Sequence, residues 1–580
     1  MINNFGVKEN GELSISTLLF RQSPRLLLVS VALGAIAGAL YSLIIPVALL
    51  GVDGSPSDLS EMGIPADLAF VVNDNLPLLF FVVVFLILVS KLASVVLVNN
   101  IAIDATAQLK IRLSKKINRM MIADVENIGF SKLLNILADD VNDVSSSAVA
   151  IPMLVVSIVT VFGVLAYLFV LNVYVFLIIL LSIVVGLAIY QVPVELVHGY
   201  YTRARGVRDV IQKGVCGLVM GAYELKLSEL KSESFIREEI VKPQNSYVRL
   251  IKFAEGIHHF AGTSSDMLAF FVIGIIVFVV PNFINLPDSD VYGVVMALLY
   301  ITGPLANILS IDLLLRKGKV AIRRINDLEA FKEEAQATEG FEFIDNWSEY
   351  RATEVTYIYF DDYSNSTFSL KPATLKFSRG QINFIVGGNG SGKSTLSKLL
   401  SLHYKPQSGS LAFDGMRIHD SNIREARLKI SVIYSNYHLF DKIYPLDGRH
   451  NVERINLLLA KLGLVGKTDY VNGCFSTTKL SDGQKRRLAL LVALLEDKEI
   501  YIFDEWAADQ DPQFKRVFYE DILQELRAAN KLVIVITHDD RFYSCADRVI
   551  HIDNGKIVSL RERDKQEMGE TSYLHLSEER

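Results

Sequence analysis

Long apolar stretches fill the first half of the chain, and each is long enough to form a membrane helix. About 20 predominantly apolar residues in an α-helix cross the core of a bilayer. Six segments are predicted to span a membrane: residues 26–52, 76–90 with an apolar continuation after Lys91, 151–171, 173–194, 267–280 with a continuation backwards through His258 and His259, and 291–311. The mean hydropathy of +0.32 agrees with a membrane protein.

The charges between these stretches predict which ends of the helices face the cytoplasm. Residues 51–75 carry five acidic side chains and no Lys or Arg, and residues 281–290 contain Asp288 and Asp290 but nothing basic. Basic residues cluster in three other segments: Lys110, Arg112, Lys115, Lys116 and Arg119; Arg203, Arg205 and Arg208; and Arg316, Lys317, Lys319, Arg323 and Arg324. Because basic loops stay in the cytoplasm, both termini are expected there.

The later part of the chain reads as alternating strands and helices with a phosphate-binding loop. An apolar run at 382–386 predicts a strand, and 396–402 predicts a helix. Between them stand Gly387, Gly388, Asn389, Gly390, Ser391, Gly392, Lys393, Ser394 and Thr395, which fit the pattern G-x-x-x-x-G-K-[ST]. Glycines let backbone N–H groups approach phosphate oxygens, and the helix N-terminus adds positive partial charge. Lys393 is expected to reach the β- and γ-phosphates of ATP, and the Ser394 hydroxyl to hold Mg²⁺.

Two further patterns extend this prediction. The apolar strand at 500–503 leads into Asp504 and Glu505, which suit a Mg²⁺-holding acid and a base for the attacking water. Read alone, they are only a strand with an acidic turn. Ser481, Asp482, Gly483 and Gln484 precede an amphipathic helix at 485–496. Ser481 with Gln484 three residues later is also an ordinary capping box.

Together these motifs resemble the ATP-binding cassette superfamily. The resemblance implies that Ser481–Gln484 is the signature sequence, that Asp511 is the D-loop aspartate, and that His538 contacts the γ-phosphate. It also implies that Tyr359 stacks on adenine, although a tyrosine packed in a core is nearly as plausible, since Tyr357 lies in the same strand.

Two departures indicate a narrower group within the superfamily. Ser435 stands where a Gln is usual and would complete the Mg²⁺ site, with Asn436 as the alternative, and Asp482 replaces a Gly of the common signature. The segments 435–440, 504–512, 537–540 and 224–227 resemble the cyclic-peptide exporter family. That family includes exporters of syringomycin-type lipopeptides and of the pyoverdine precursor.

The resemblance implies an α-helical membrane domain with six transmembrane helices, of the ABC exporter type, fused to an α/β P-loop ATPase domain. The expected boundaries are residues 1–325 for the membrane domain, 326–350 for a linker, 351–563 for the ATP-binding cassette and 564–580 for a charged tail. The expected location is a bacterial inner membrane, with the ATPase domain in the cytoplasm. The expected partners are a second copy of the chain, a peptide-like substrate and membrane lipids, with ATP and Mg²⁺ as cofactors.

Composition excludes some other classes. The net charge of −6 implies no general attraction to nucleic acid. The three cysteines are far apart and suggest neither a disulfide framework nor a zinc site. A lipid flippase and an ATP-gated channel or regulatory subunit remain alternatives, although the second often lacks the acid that Glu505 provides here.

Two polar segments with helical periodicity, residues 101–149 and 196–256, predict helices that continue into the cytoplasm. Residues 127–133 and 222–230 within them are the candidate contacts with the ATP-binding domain. Polar groups on the apolar helices are candidates for the transport pathway, because an ionisable group in a membrane helix is expensive to keep there. They are His258, His259, Asp266, Tyr300, Asn307 and Asp312. A position of the two histidines at the inner membrane boundary is an equal alternative.

Overall fold

The computed structural model describes residues 13–53, 76–283, 288–334, 346–361, 366–444, 452–562 and 574–575. Most of the acidic segment 51–75, part of the linker and most of the tail lie outside the described residues. The chain divides into two compact units. The first comprises Met1–Ser114 and Ser131–Ala330, and the second comprises Lys115–Phe130 and Phe331–Arg580.

In the described part of the first unit every regular element is a helix, and six of these helices are long and apolar enough to cross a membrane. The α-helices up to residue 330 are α1 (Ile15–Gln22), α2 (Pro24–Asp53), α3 (Leu76–Arg119), α4 (Ile122–Ile128), α5 (Phe130–Asn135), α6 (Val141–Leu171), α7 (Val173–Met220), α8 (Ala222–Lys226), α9 (Glu229–Phe235), α10 (Lys242–Gly274) and α11 (Asp288–Ala330). Of these, α4 belongs to the second unit. The six predicted spans are confirmed.

Several of these helices continue far beyond the apolar stretches that predict them. The helix α3 runs on to Arg119 and α7 to Met220, as the periodicity of the polar segments indicates. Short π-helical turns at Ile136–Asp140 and Ile236–Val241 join α5 to α6 and α9 to α10, and a third follows α10 at Ile275–Val279. The helix α11 passes the expected domain boundary at 325 and ends at Ala330.

Small residues allow close packing of the membrane helices. Ser30 of α2 and Ser94 of α3 are both fully buried, and each hydroxyl donates to the other residue's carbonyl at 2.7 Å. A Cβ atom on Gly38 would lie 2.7 Å from the carbonyl oxygen of Val156 in α6. Lipid gives helices no hydrophobic reason to associate, so such close backbone contact and interhelical hydrogen bonds stabilise the bundle.

The second unit contains two main sheets with helices around them. Its strands are β1 (Glu349–Asp361), β2 (Ser366–Ser378), β3 (Ile382–Val386), β4 (Ser408–Phe413), β5 (Met416–Arg417), β6 (Ile430–Ile433), β7 (Tyr470–Val471), β8 (Cys474–Phe475), β9 (Ile500–Asp504), β10 (Leu532–Ile536), β11 (Arg548–Asp553), β12 (Lys556–Glu562) and β13 (Leu574–His575). Its helices are α12 (Lys393–Leu400), α13 (Ile423–Leu428), α14 (Val452–Lys461), α15 (Asp482–Glu496), α16 (Pro512–Arg516) and α17 (Leu523–Ala528). The strand β1 begins inside the expected linker.

The larger sheet has the order β13-β12-β11-β3-β10-β9-β6, and its strands from β11 to β6 are parallel. Strands of this kind are buried on both faces, which explains their continuous apolar runs. Phe384 of β3 belongs to the core on one face, while its neighbour Ile385 belongs to the core on the other. The smaller, antiparallel sheet β2-β1-β4-β5 contributes to the second core.

Candidate ATP-binding and hydrolysis site

The phosphate-binding loop lies between β3 and α12 and requires glycine at its close approaches. Gly392 caps α12 with φ of +104°, and a Cβ atom there would lie 2.7 Å from the ring of Phe368. A Cβ atom on Gly387 would lie 2.0 Å from the carbonyl oxygen of Ile552. Side chains at these positions would displace the loop, so the glycines keep its backbone N–H groups available at the N-terminus of α12.

Lys393 is buried within this loop. Its ammonium group donates to the carbonyl oxygens of Gly387 at 3.0 Å and Gly388 at 2.8 Å. Burial lowers the pKa of Lys393, and the negative charges of Glu505 and Asp504 act in the opposite direction. The cation therefore lies beside the acids that the sequence places at the same site.

Asp504 ends β9 as a buried carboxylate with the character of a cation ligand. Burial raises the pKa of Asp504, while hydrogen bonds from Ser394 and Ser397 lower it. Its Oδ1 atom is buried and has no hydrogen-bond partner among the described residues. A carboxylate oxygen left available beside a serine hydroxyl matches the oxygen ligands that Mg²⁺ takes in combination with nucleotide phosphates.

Glu505 and His538 form the next pair along the same edge of the sheet. The His538 Nε2 atom lies 3.2 Å from Oε1 of Glu505. The backbone of Glu505 is left-handed, with φ of +53° and ψ of 31°, and such a conformation costs a non-glycine residue about 1–2 kcal/mol. Its N–H donates to the carbonyl of Ile536 at 3.1 Å. The half-exposed carboxylate is thus held at a strained but anchored position.

The signature segment forms the cap that its sequence allows. The Ser481 hydroxyl accepts from the N–H of Gln484 at 3.4 Å, and the Gln484 side chain accepts from the N–H of Ser481 at 3.2 Å. Asp482 pairs with Lys485 at 2.9 Å, and the Gly483 carbonyl accepts from Gln510 at 3.0 Å. Both hydrogen bonds of the predicted capping box are therefore present, and they place Ser481–Gln484 at the N-terminus of α15.

Residues that the sequence motifs did not single out connect the segment 481–484 to the segment around Asp511. Arg487 donates to Gln510 at 2.9 Å and pairs with Asp511, which itself caps α16 by accepting from Phe514 at 2.8 Å. Arg486 is buried and contacts the segment that follows Glu505. The signal in the sequence is a pair of adjacent arginines in an amphipathic helix, just before its apolar run.

Ser435 lies in an exposed bend directly after β6, and Asn436 beside it is exposed as well. The residue before them, Tyr434, is anchored. Its hydroxyl lies 2.5 Å from the Ser401 hydroxyl and 2.9 Å from Nδ1 of His403. The sequence did not indicate this cluster, because its members come from separate segments.

The segment Lys115–Phe130 belongs to the second unit, although the residues before and after it belong to the first. It contacts residues next to this cluster. Glu126 accepts from Lys398 at 2.9 Å and from the Tyr404 hydroxyl, and Ala123 packs on the core of the second unit. These contacts begin just ahead of the predicted range 127–133.

For the adenine site, the structure describes the backbone of Tyr359, which pairs with Phe368 between β1 and β2. The side chain of Tyr359 lies outside the described residues. Tyr357, the neighbouring candidate, stacks on Tyr404 with ring centroids 4.6 Å apart and packs against the core. Its role is therefore structural.

Within the membrane unit, a cavity of about 310 Å³ lies between α7, α10 and α11. Its lining is mostly apolar, with Tyr190, His258 and Thr302 among its polar members. Of the other polar candidates, His259 is exposed, Tyr300 lies beside Tyr41, and Asp312 pairs with Arg316 at 2.7 Å. The side chain of Asp266 lies outside the described residues.

Comparison with known families assigns both halves of the chain. Residues 22–209 match the family described as the ABC transporter transmembrane region, and residues 370–508 match the family described as ABC transporter. The ATP-binding protein SyrD of Pseudomonas syringae pv. syringae is 34% identical over 468 residues, which cover 78% of this chain and 82% of SyrD. The chain belongs to the ABC transporter family.

Two other similarities accompany this one. A bacterial Atm1-family ABC exporter solved with ATP bound shares the fold, with a TM-score of 0.73, 16% identity, and coverage of 93% of this chain and 95% of that one. The ATP-dependent lipid A-core flippase of Vibrio vulnificus (strain YJ016) is 29% identical over 204 residues, 33% of this chain and 34% of the flippase. This ABC exporter is a multi-pass membrane protein that couples ATP hydrolysis to transport.

The half-buried His403 predicts that the ATP-binding unit loses stability in mild acid. Burial, and next the charge of Arg427, lower the pKa of His403 to about 4 from 6.5. Between these values the unfolded chain binds a proton that the folded chain does not, so stability is complete above pH 6.5 and falls as the pH drops toward 4. The shift corresponds to about 3 kcal/mol at most.

Tryptophan fluorescence measures this loss, since the two tryptophans of the chain, Trp347 and Trp506, are both buried in this unit. We expect the melting temperature of His403→Gln to depend less on pH between 7 and 5 than that of the wild type. His551→Gln, at an exposed histidine of the same unit, is the control and should follow the wild type. Equal slopes for all three proteins would contradict the expectation.

Proposed function

We propose that this ABC exporter moves a peptide-like molecule, such as a cyclic peptide, a lipopeptide or a siderophore precursor, out of the cytoplasm across a bacterial inner membrane. The observation that carries the proposal is the extent of the similarity to SyrD, which reaches across most of both chains. The lipid A-core flippases are similar over only a third of this chain. The motifs shared with the cyclic-peptide exporter family favour the same substrate class.

For the chemistry, we infer that Lys393 binds the phosphates of ATP and that Ser394 and Asp504 hold Mg²⁺, which neutralises charge on those phosphates. Glu505 orients or deprotonates the attacking water, and His538 meets the γ-phosphate. Ser435 has a shorter reach than the usual Gln and contacts Mg²⁺ through a water, which loses little enthalpy relative to a direct bond. The unpartnered Oδ1 of Asp504 supports the metal assignment.

For the coupling of hydrolysis to transport, we infer that the segment Lys115–Phe130 carries motion between the ATP-binding unit and the membrane helices. Its ion pair between Glu126 and Lys398 is only partly exposed, and Lys398 belongs to the helix that follows the phosphate-binding loop. A shift of α12 on ATP binding would therefore move Lys398 and, through this ion pair, Glu126. Residues 222–230, whose Tyr223 and Leu227 are exposed, are the second candidate contact.

The base role of Glu505 predicts a variant that binds ATP without turning it over. Glu505→Gln keeps the size and shape of the side chain but cannot accept the proton of the water, so hydrolysis should fall about 10²-fold or more. Phosphate release and binding of a fluorescent ATP analogue are measured on the same preparation. Glu525→Gln, at an exposed surface position, is the matched control, and near-normal turnover in Glu505→Gln would remove this residue from the catalytic role.

The substrate class predicts directional transport in inverted membrane vesicles. A fluorescent cyclic lipopeptide of the syringomycin type should accumulate in vesicles that contain the wild-type protein when ATP is supplied. It should not accumulate with a non-hydrolysable analogue or with Glu505→Gln. A fluorescent lipid offered to the same vesicles tests the flippase alternative. ATP-dependent movement of the lipid without any effect of the peptide would favour that alternative.

The resemblance to the ATP-binding cassette superfamily implies that Ser481 completes the ATP site of a second copy, which predicts ATP sites shared between two chains. Ser481→Arg and Lys393→Ala should each inactivate a homodimer. When both are expressed together, mixed dimers retain one intact site, and partial recovery of hydrolysis is expected. Ser481→Thr keeps a capping hydroxyl and is the control for damage to α15. Full activity in a preparation that is strictly monomeric by light scattering would overturn site sharing.

A further inference from the structure

The buried side chain of Arg486 forms hydrogen bonds with the backbone of Glu505 and of the residue that follows it. Its Nη1 atom donates to the carbonyl oxygen of Glu505 and, at 3.1 Å, to that of Trp506. Its Nη2 atom lies 2.7 Å from a carboxylate oxygen of Asp509. The indole N–H of Trp506 donates back to the carbonyl of Arg486 at 2.9 Å. These contacts join α15 to the turn that carries the glutamate.

This turn needs an anchor because Glu505 has a left-handed backbone. A residue with φ of +53° has no intrinsic preference for that conformation, so it persists only where the surroundings enforce it. The N–H of Glu505 is bound to Ile536 of β10, and its carbonyl is bound to Arg486. The two bonds fix the peptide groups on either side of the Cα atom, and hence the direction in which the carboxylate leaves the chain.

We propose that Arg486 is a positioning residue for Glu505, and that it ties the geometry of the catalytic carboxylate to the position of the signature helix. The proposal rests on the catalytic role proposed for Glu505. The helix α15 starts at the signature, so a displacement of Ser481 or Asp482 on contact with nucleotide moves Arg486 with it. The hydrogen bond from Arg486 then transmits that displacement to the carbonyl group of Glu505.

An arginine suits this task for a chemical reason. Its planar guanidinium donates in several fixed directions at once, so it can serve two carbonyl oxygens and one carboxylate without deprotonating. Asp509 balances the buried positive charge, which would otherwise be costly to keep out of water. Because the charge is already paired, the effect of Arg486 on Glu505 comes from geometry rather than from direct attraction to the carboxylate.

The neighbouring Arg487 makes a separate set of contacts. It reaches Gln510 and Asp511, and it lies over the ring of Phe514 at 3.8 Å from the centroid. Arg486 alone, of these two, bonds to the Glu505 backbone. The two arginines therefore act on different parts of the same segment, and substitutions at Arg486 test the link to Glu505 specifically.

The test compares turnover and ATP affinity in the full-length protein. Arg486→Gln removes the ion pair and the forked geometry, and kcat should fall about 10-fold or more, since small misplacements of a reacting group cost up to about 10²-fold. The KM for ATP and the binding of a fluorescent ATP analogue should change less than about 3-fold, because that change would reflect binding rather than the transition state. Arg486→Lys, which retains the charge, should recover part of kcat.

Arg527→Gln controls for the loss of a partly buried ion pair elsewhere in the unit, since Arg527 pairs with Asp547 at 3.1 Å away from these residues. It should lower the melting temperature without lowering kcat. If Arg486→Gln lowers kcat only in proportion to the inactive fraction seen by melting, or raises KM with kcat unchanged, Arg486 is merely structural and the proposal is overturned.

A double variant separates this proposal from the role of Glu505 itself. If Arg486 acts through Glu505, adding Arg486→Gln to Glu505→Gln should cause no further loss of hydrolysis. Multiplicative losses would overturn the positioning role. Normal hydrolysis in Glu505→Gln alone would instead remove the catalytic glutamate, and the positioning role would fall with it. An inactive Glu505→Gln with fully active Arg486 variants would overturn only the positioning role.

Discussion

Parallel pairing of three short strands is the constraint on which the ATP-binding unit depends. Ile536 of β10 is paired with Ile385 of β3 on one side and with Asp504 of β9 on the other. In a parallel sheet the carboxyl ends of neighbouring strands meet at one edge, where ligands bind. This pairing by itself brings together the phosphate-binding loop, the two acids and His538. The two apolar cores that cover the faces of the sheet keep this register.

Much of this arrangement can be predicted from the sequence, because the signals are local. A continuous apolar run predicts a strand such as β9, and the residues just after it fall at the edge of the sheet. The phosphate-binding loop has a pattern that only its function explains. Ser481 illustrates the limit of such predictions. The same residues, Ser481 and Gln484, form a capping box and belong to the proposed signature, and the sequence does not separate the two roles.

The contacts that connect these motifs are hidden in the sequence for a different reason. Arg486 looks like one more charged residue on an amphipathic helix, and it becomes a buried ligand of backbone carbonyls only because Asp509 is folded against it. The triangle of Ser401, His403 and Tyr434 combines a helix end with a strand end. In the membrane unit, apolar length predicts the spans, whereas the exchange of hydrogen bonds between Ser30 and Ser94 depends on pairing that no local pattern encodes.

If two copies share their ATP sites as proposed, the pair of Asp482 and Lys485 at the start of α15 has a consequence for nucleotide recognition. The hydrogen bond from Lys485, and then its charge, lower the pKa of Asp482, so the carboxylate stays ionised in neutral solution. A glycine at this place would offer phosphates only backbone N–H groups. In that arrangement an approaching anion would meet a small surface dipole, whose acidic end repels it and whose flexible basic end attracts it. The proposed assembly around the nucleotide would then be sensitive to ionic strength, since mobile salt ions screen both ends of such a dipole.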